Sequence, residues 1–243
     1  MVHYSSEGLQ LLQPQKEKVF IQNPFRKVIV IAGPTAVGKS ELALECAKII
    51  GGEIISADSM QVYRNMDIGT AKPTKKELDE INHHLIDVKD VDDPITVVDY
   101  YHSAKEAIRK VLLKDKVPIV VGGSGFYLRT LIYGPPLGPP SDFALRKKLT
   151  AQMEELGKEA LYEYLQMLDP EYASTITEND RHKIIRALEI IHLTRKKVSD
   201  FSKPEVKLPS LYNFRCWFLH MPKEEIFEKA QNRCDEMIEK GFI

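Results

Sequence analysis

The chain has 243 residues, 43% of them hydrophobic and 28% charged, enough to bury a full α/β core with room for a second small domain. With 34 basic against 35 acidic residues the net charge is −1, which excludes bulk attraction to a polyanion, so any nucleic-acid contact must come from local clusters. No run approaches the ~18 apolar residues of a membrane span, and the start lacks the apolar core of a secretory signal. The three cysteines, Cys46, Cys216 and Cys234, are odd in number and far apart, so neither disulfide nor zinc is expected and the protein reads as cytoplasmic.

In chain order, residues 1–25 show no period and end at Asn23-Pro24, an extension without evident chemistry. The apolar run Val28-Ile29-Val30-Ile31-Ala32 predicts a strand and Glu41 to Ile50 a helix. Between them lies Gly33-Pro34-Thr35-Ala36-Val37-Gly38-Lys39-Ser40. Strand, GxxxxGK[ST] and helix together make a phosphate-binding loop, in which backbone N–H groups and the helix N-terminus face an anion, Lys39 adds a point charge, and the Ser40 hydroxyl can hold magnesium. An ordinary glycine turn is the plain alternative.

Glu53 to Ala57 and His84 to Val88 read as short strands. Thr96-Val97-Val98-Asp99 resembles a capping box opening a helix through Leu113, and Val117 to Val121 is a buried strand. This alternation predicts a parallel sheet covered by helices on both faces. The segment Gly134-Pro135-Pro136-Leu137-Gly138-Pro139-Pro140 cannot continue a helix and marks a domain boundary. Beyond it the pattern is helical to about Leu208, with Ser141 as N-cap of a helix to Leu156, then Glu159 to Leu168, then a stripe of Ile184, Ile185, Leu188 and Ile191. Tyr212 to Leu219 reads as a strand returning to the sheet, and Pro222 as the first residue of a helix through Glu239. The expected division is an extension over 1–25, an α/β core over 26–137, an all-helical insertion over 138–211, and a return to the core over 212–243.

If the sheet is parallel, three strand ends converge on the phosphate loop, bringing Asp58 and Gly122-Gly123-Ser124 beside it. Asp58 suits a general base or an indirect magnesium ligand, or else a turn aspartate capping a backbone N–H. Ser124 can contact substrate or simply cap the helix from Gly125 to Ile132. The strand ending at Val121 carries no aspartate of the kind that holds magnesium in ATPases, which disfavours nucleotide hydrolysis. His83-His84 lacks partners at ligand spacing and reads as hydrogen-bonded and structural. Basic clusters at Arg146-Lys147-Lys148, Arg181 to Arg186 and Arg195-Lys196-Lys197 all fall in the insertion, which holds as many acidic as basic residues.

The run Ile55-Ser56-Ala57-Asp58-Ser59-Met60-Gln61-Val62-Tyr63-Arg64, followed by Met66 to Pro73, resembles the signature of the tRNA dimethylallyltransferases, or tRNA isopentenyltransferases. The phosphate loop, His84 to Asp87, Val121 to Tyr127, and Asn179-Asp180 leading to Arg186 to Glu189 resemble that family in order and spacing, over residues 26–243. The resemblance implies a fold like the P-loop nucleoside-triphosphate hydrolases with an inserted all-helical domain. It also implies transfer of a dimethylallyl group from dimethylallyl diphosphate, with Mg2+, to the exocyclic amine of the adenosine 3′ of the tRNA anticodon. Asp58 is then the general base and Ser124, where many relatives have threonine, helps hold the amine. Gly33 to Ser40 and Arg233 take the diphosphate. Asp58, Ser59, Met60, Gln61, Ser124, Arg146, Asn179, Asp180, Arg181, His182 and Lys183 face tRNA, the insertion gripping the anticodon stem-loop. The target base must leave its stack.

Relatives often carry arginine in place of Lys183, which loses a bidentate fork. The family also continues beyond Gly241-Phe242-Ile243, so a fragment with weakened tRNA binding is expected. Three rivals remain: a P-loop small-molecule kinase, an isopentenyltransferase of free adenosine nucleotides, and a non-catalytic nucleotide-dependent RNA-processing partner. The expectation is a monomer acting away from membranes.

Overall fold

The computed structural model describes residues 26–201 and 211–242. They belong to two compact units, Pro136–Lys207 and the remainder of the chain.

The larger unit is built on five parallel strands: β1 (Lys27–Ala32), β2 (Gly52–Ser56), β3 (His83–His84), β4 (Val117–Gly122) and β5 (Asn213–Phe218), in the order β3-β2-β4-β1-β5. The β-branched runs of β1, β2 and β4 alternate their side chains between the faces, as a period of two requires. Val28, Val30, Ile55 and Val120 enter one buried cluster with α3 (Val97–Leu112) and α4 (Gly125–Tyr133). Ile31, Ile54, Ile119 and Val121 enter a second with Ala43, Leu44 and Ala47 of α1 (Lys39–Ile50). With both faces covered, the strands read as continuous apolar runs, which is why the parallel sheet was predictable.

Three expectations need correction. The segment His84 to Val88 is a strand only over His83–His84, because Leu85 (φ 63°) and Asp87 (φ 54°) turn left-handed and break the extension. Val88 and Lys89 instead donate their N–H groups to the Val62 carbonyl, each at 2.9 Å. The first helix of the smaller unit is capped by Asp142, not Ser141; the helix starts at Phe143, and the Asp142 Oδ1 accepts from the Leu145 N–H at 2.9 Å. Pro222 is the N-cap of α10 (Lys223–Glu239), not its first residue. The capping box at Thr96 and Asp99 is present with both reciprocal bonds, as is one at Thr74 and Glu77 opening α2 (Lys75–Glu80).

The smaller unit holds α5 (Phe143–Leu156), α6 (Lys158–Leu168), α7 (Pro170–Ala173), α8 (Arg181–Thr194) and α9 (Val198–Phe201). Its core is Leu149, Met153, Leu161, Leu165, Ile184, Ile185 and Leu188. Buried Asp169 locks α7 and α9 together, accepting from the Tyr172 N–H and from both the N–H and hydroxyl of Ser199.

Candidate active site

Strand register places the chemistry. Ala32 is opposite Gly122 and Ser56 opposite Val121, so the chain leaves β1, β2 and β4 at one level, at the carboxyl edge of the sheet. Close approach is enforced there. A Cβ on Gly122 would stand 2.1 Å from the Ala57 carbonyl oxygen, so only glycine fits.

Gly33, Pro34, Thr35, Ala36, Val37 and Gly38 form the turn from β1 into α1, with Val37 buried beneath it. Gly38, at φ 91°, supplies the left-handed step from which α1 starts at Lys39 and Ser40. The first N–H groups of α1 have no partner within the helix and make that end an anion site. Lys39 Nζ donates to the Pro34 carbonyl at 2.6 Å. From the far end of the chain, Arg233 Nη1 on α10 reaches Thr35 Oγ1 at 3.4 Å. Burial, and next the charge of Arg233, hold the Lys39 ammonium below the usual lysine value, against the opposing pull of Asp58 and Glu41. Lys39 and Arg233 at the same loop, together with the N–H groups of α1, make a receptor for an anion.

A cavity of about 800 Å³ opens from this loop. Lys39, Ser40, Ser56, Gln61, Val121 and Arg233 line it. The sequence had singled out only Arg233 on α10, yet Lys229, Asn232, Glu236 and Lys240 face the same cavity. For Lys229 and Glu236, four residues before and three after Arg233, and for Lys240, seven after, helical spacing was the available signal. Ser40 is exposed and its hydroxyl bonds no described residue, so an oxygen donor beside an anion site fits a hard divalent cation. Among the described residues no group of three or more His, Cys, Asp or Glu could hold a metal by itself, so such a cation would take its remaining ligands from the substrate and water.

Asp58 follows β2. Its Oδ1 accepts from the N–H groups of Met60 (2.8 Å) and Gln61 (3.3 Å), while Oδ2 bonds no described residue. The turn-capping alternative is thus realised through one oxygen and leaves the other available. Ser124 stands at the N-cap of α4 but makes no capping bond there; its Oγ instead accepts from the Ser59 N–H at 3.2 Å, which brings the ends of β2 and β4 together. Burial, then the nearby charges of Tyr63 and Asp58, push the Tyr127 phenol up to about 12. Gln61 and Lys72 hold the loop that follows. Lys72, almost fully buried, donates to the Tyr63 carbonyl (2.6 Å), Asp67 (2.7 Å) and Asp87 (2.5 Å). The two histidines are tied in place, His84 Nε2 to Glu53 Oε2 and His83 Nδ1 to the Ile81 carbonyl, each at 2.8 Å.

The smaller unit carries the other predicted residues. Arg146 on α5 is tied through Nε to Glu189 at 2.9 Å; that fully buried carboxylate also takes Arg186 and the Asp142 N–H, each at 2.5 Å. Glu189 was not singled out from sequence, although it lies one helical turn from Arg186. Asn179 accepts from Lys158, and Asp180 accepts from the Thr177 N–H (2.9 Å) and pairs with Lys183 (2.9 Å) at the start of α8. Arg181 is exposed, with its Nε 3.5 Å from Met153 Sδ, and His182 is exposed as well.

The parallel sheet, the phosphate loop at its carboxyl edge and the carboxylate beside it define an α/β protein of the phosphate-loop class. The IPP transferase family model matches residues 61–243, and the chain belongs to that family. It is 57% identical over 218 residues to the tRNA dimethylallyltransferase of Protochlamydia amoebophila, covering 90% of this chain and 63% of that one. It is 49% identical to that of Chlamydia pneumoniae, covering 96% and 68%. Among solved structures it is similar to the full-length tRNA isopentenylpyrophosphate transferase of Bacillus halodurans (38% identity, TM-score 0.56, 89% of this chain and 67% of that). It is also similar to a eukaryotic dimethylallyltransferase acting on tRNA (32% identity, TM-score 0.72, 89% and 54%). The chain thus spans about two thirds of the length of the relatives it matches.

Proposed function

We propose that this chain carries the catalytic core of a tRNA dimethylallyltransferase, moving a dimethylallyl group from dimethylallyl diphosphate to the exocyclic amine of the adenosine 3′ of the anticodon. The observation that carries this reading is the pairing of an anion receptor with a half-free carboxylate: Arg233 reaches the loop that holds Lys39, and the Lys39 ammonium feels the charges of both Arg233 and Asp58.

In this reading the loop N–H groups, Lys39 and Arg233 bind the diphosphate and stabilise the charge that grows on it as the carbon–oxygen bond breaks. Magnesium held by Ser40 would neutralise further charge on the same leaving group. The adenine nitrogen attacks the allylic carbon, a C–N bond replaces the C–O bond, diphosphate departs, and Asp58 Oδ2 accepts the proton the amine loses. Ser124, fixed by Ser59, orients that amine. An adenine amine is a weak nucleophile, so holding it in line contributes more than proton removal. No phosphoryl group is transferred.

In the same reading Ser59 and Met60 lie along the tRNA at the Asp58 turn, and Arg146 and residues 179–183 of the helical unit meet RNA phosphates. Among the described residues no helix is long and apolar enough to cross a membrane. The test is to supply unmodified tRNA with labelled dimethylallyl diphosphate and, separately, with ATP labelled on its terminal phosphate. Label from the diphosphate on tRNA is the expected result; label moving only from ATP would replace this reading with a kinase.

A further inference from the structure

We propose that Gln61 is a positioning residue for the Asp58 carboxylate and does not itself touch tRNA, an inference that rests on the prenyl-transfer reading above. The side-chain amide is occupied at both ends. The buried Ser56 hydroxyl donates to its Oε1 at 2.9 Å, and its Nε2 donates to the carbonyls of Thr70 (3.2 Å) and Ala71 (3.1 Å). Two carbonyls accept and never donate, so they fix which end of the amide faces them and consume both of its N–H groups. No donor remains on this side chain for a nucleobase.

The backbone of the same residue does something else. With Met60 it supplies the two N–H bonds that hold Asp58 Oδ1 and leave Oδ2 open. The amide clamps this turn to β2 through Ser56 and to the 70–71 segment through the two carbonyls. Lys72 anchors the neighbouring backbone to Tyr63, Asp67 and Asp87. Gln61 therefore sets the direction of the carboxylate by fixing the turn that grips it, and a reacting group aimed wrongly loses rate before it loses binding.

The experiment compares wild type, Gln61→Met and Ser56→Ala by steady-state and single-turnover transfer of labelled dimethylallyl diphosphate to tRNA. Methionine keeps the length of the side chain and deletes all three bonds. Serine-to-alanine deletes one with little risk to folding. The expected result is a kcat about 10- to 100-fold lower for Gln61→Met, a smaller loss for Ser56→Ala, and KM for both substrates within about twofold of wild type. On an Asp58→Asn background Gln61→Met should cost nothing further. A raised KM for tRNA with kcat preserved, or an undiminished effect on that background, overturns the proposal while leaving prenyl transfer standing. Absence of transfer by the wild-type chain overturns both.

Discussion

The Arg233 guanidinium donates to the Thr35 hydroxyl at 3.4 Å, joining residues 198 positions apart in sequence. A helix from the end of the chain thereby brings a second cation to the phosphate loop, where its charge adds to burial in lowering the Lys39 ammonium. A bound diphosphate relieves that repulsion. Arg233→Gln should therefore raise KM for dimethylallyl diphosphate by about 10- to 100-fold, the worth of a lost charge-assisted bond, with KM for tRNA little changed in steady-state kinetics.

The contact between β2 and β4 is equally specific. Gly122→Ala would drive a methyl into the Ala57 carbonyl, a backbone group that itself accepts from the Ser124 N–H at 3.3 Å. We expect a loss of about 3 kcal/mol or more in urea unfolding, since two strands must part. Gly125→Ala, where an added Cβ meets nothing within 4 Å, should change stability by less than about 0.5 kcal/mol.

Acid should weaken the fold through Glu53. Burial by itself would raise this carboxyl, but bonds from His84, Lys116, Asn82 and Lys114 outweigh it and bring it from 4.5 down to about 2. A folded value below the unfolded one means that the ionised form belongs to the native state. Its contribution is complete above pH 4.5 and is lost as pH falls through 2. The shift corresponds to at most about 3 kcal/mol, because Lys114 and Lys116 are half exposed and screened. Chemical unfolding between pH 5 and 2 should show a shallower decline for Glu53→Gln than for wild type.

Glu189 in the helical unit offers a separate test. Removing this buried carboxylate strands Arg186 and the Asp142 N–H and releases Arg146, so Glu189→Ala should cost about 3–5 kcal/mol of stability. If Arg146 meets a phosphate, Arg146→Ala should weaken tRNA binding and make the slope of log affinity against log salt shallower by about 0.7–0.9. Filter binding at several salt concentrations measures it.

The loop and its flanking elements were legible because their chemistry is local: eight consecutive residues specify the turn, the charge and the helix start. Strands β1, β2 and β4 were legible because a doubly covered parallel strand is an unbroken apolar run. The shortness of β3 was not, since the left-handed residues Leu85 and Asp87 lead into Val88 and Lys89, whose N–H groups are captured by the Val62 carbonyl, more than 25 residues earlier. The family resemblance implies that Gln61 faces tRNA; only the positions of Ser56, Thr70 and Ala71 reveal that both of its amide N–H groups are spent. Lys72 and Glu189 fall in runs that carry the family resemblance, but their burial was not legible, because a charged residue declares itself buried only through its partners in the fold.

Strand β1, which delivers the phosphate loop, is flanked on one side by β5, whose residues Asn213–Phe218 pair with Lys27–Ala32 in unbroken register. A ribosome releases the amino end first, so the nascent chain exposes β1 with one flank open until Asn213–Phe218 have been made, about 180 residues later. Arg233 emerges later still. Until α10 has formed and docked, the phosphate loop stands without its second cation, and its grip on an anion is completed from a segment made about 200 residues after it.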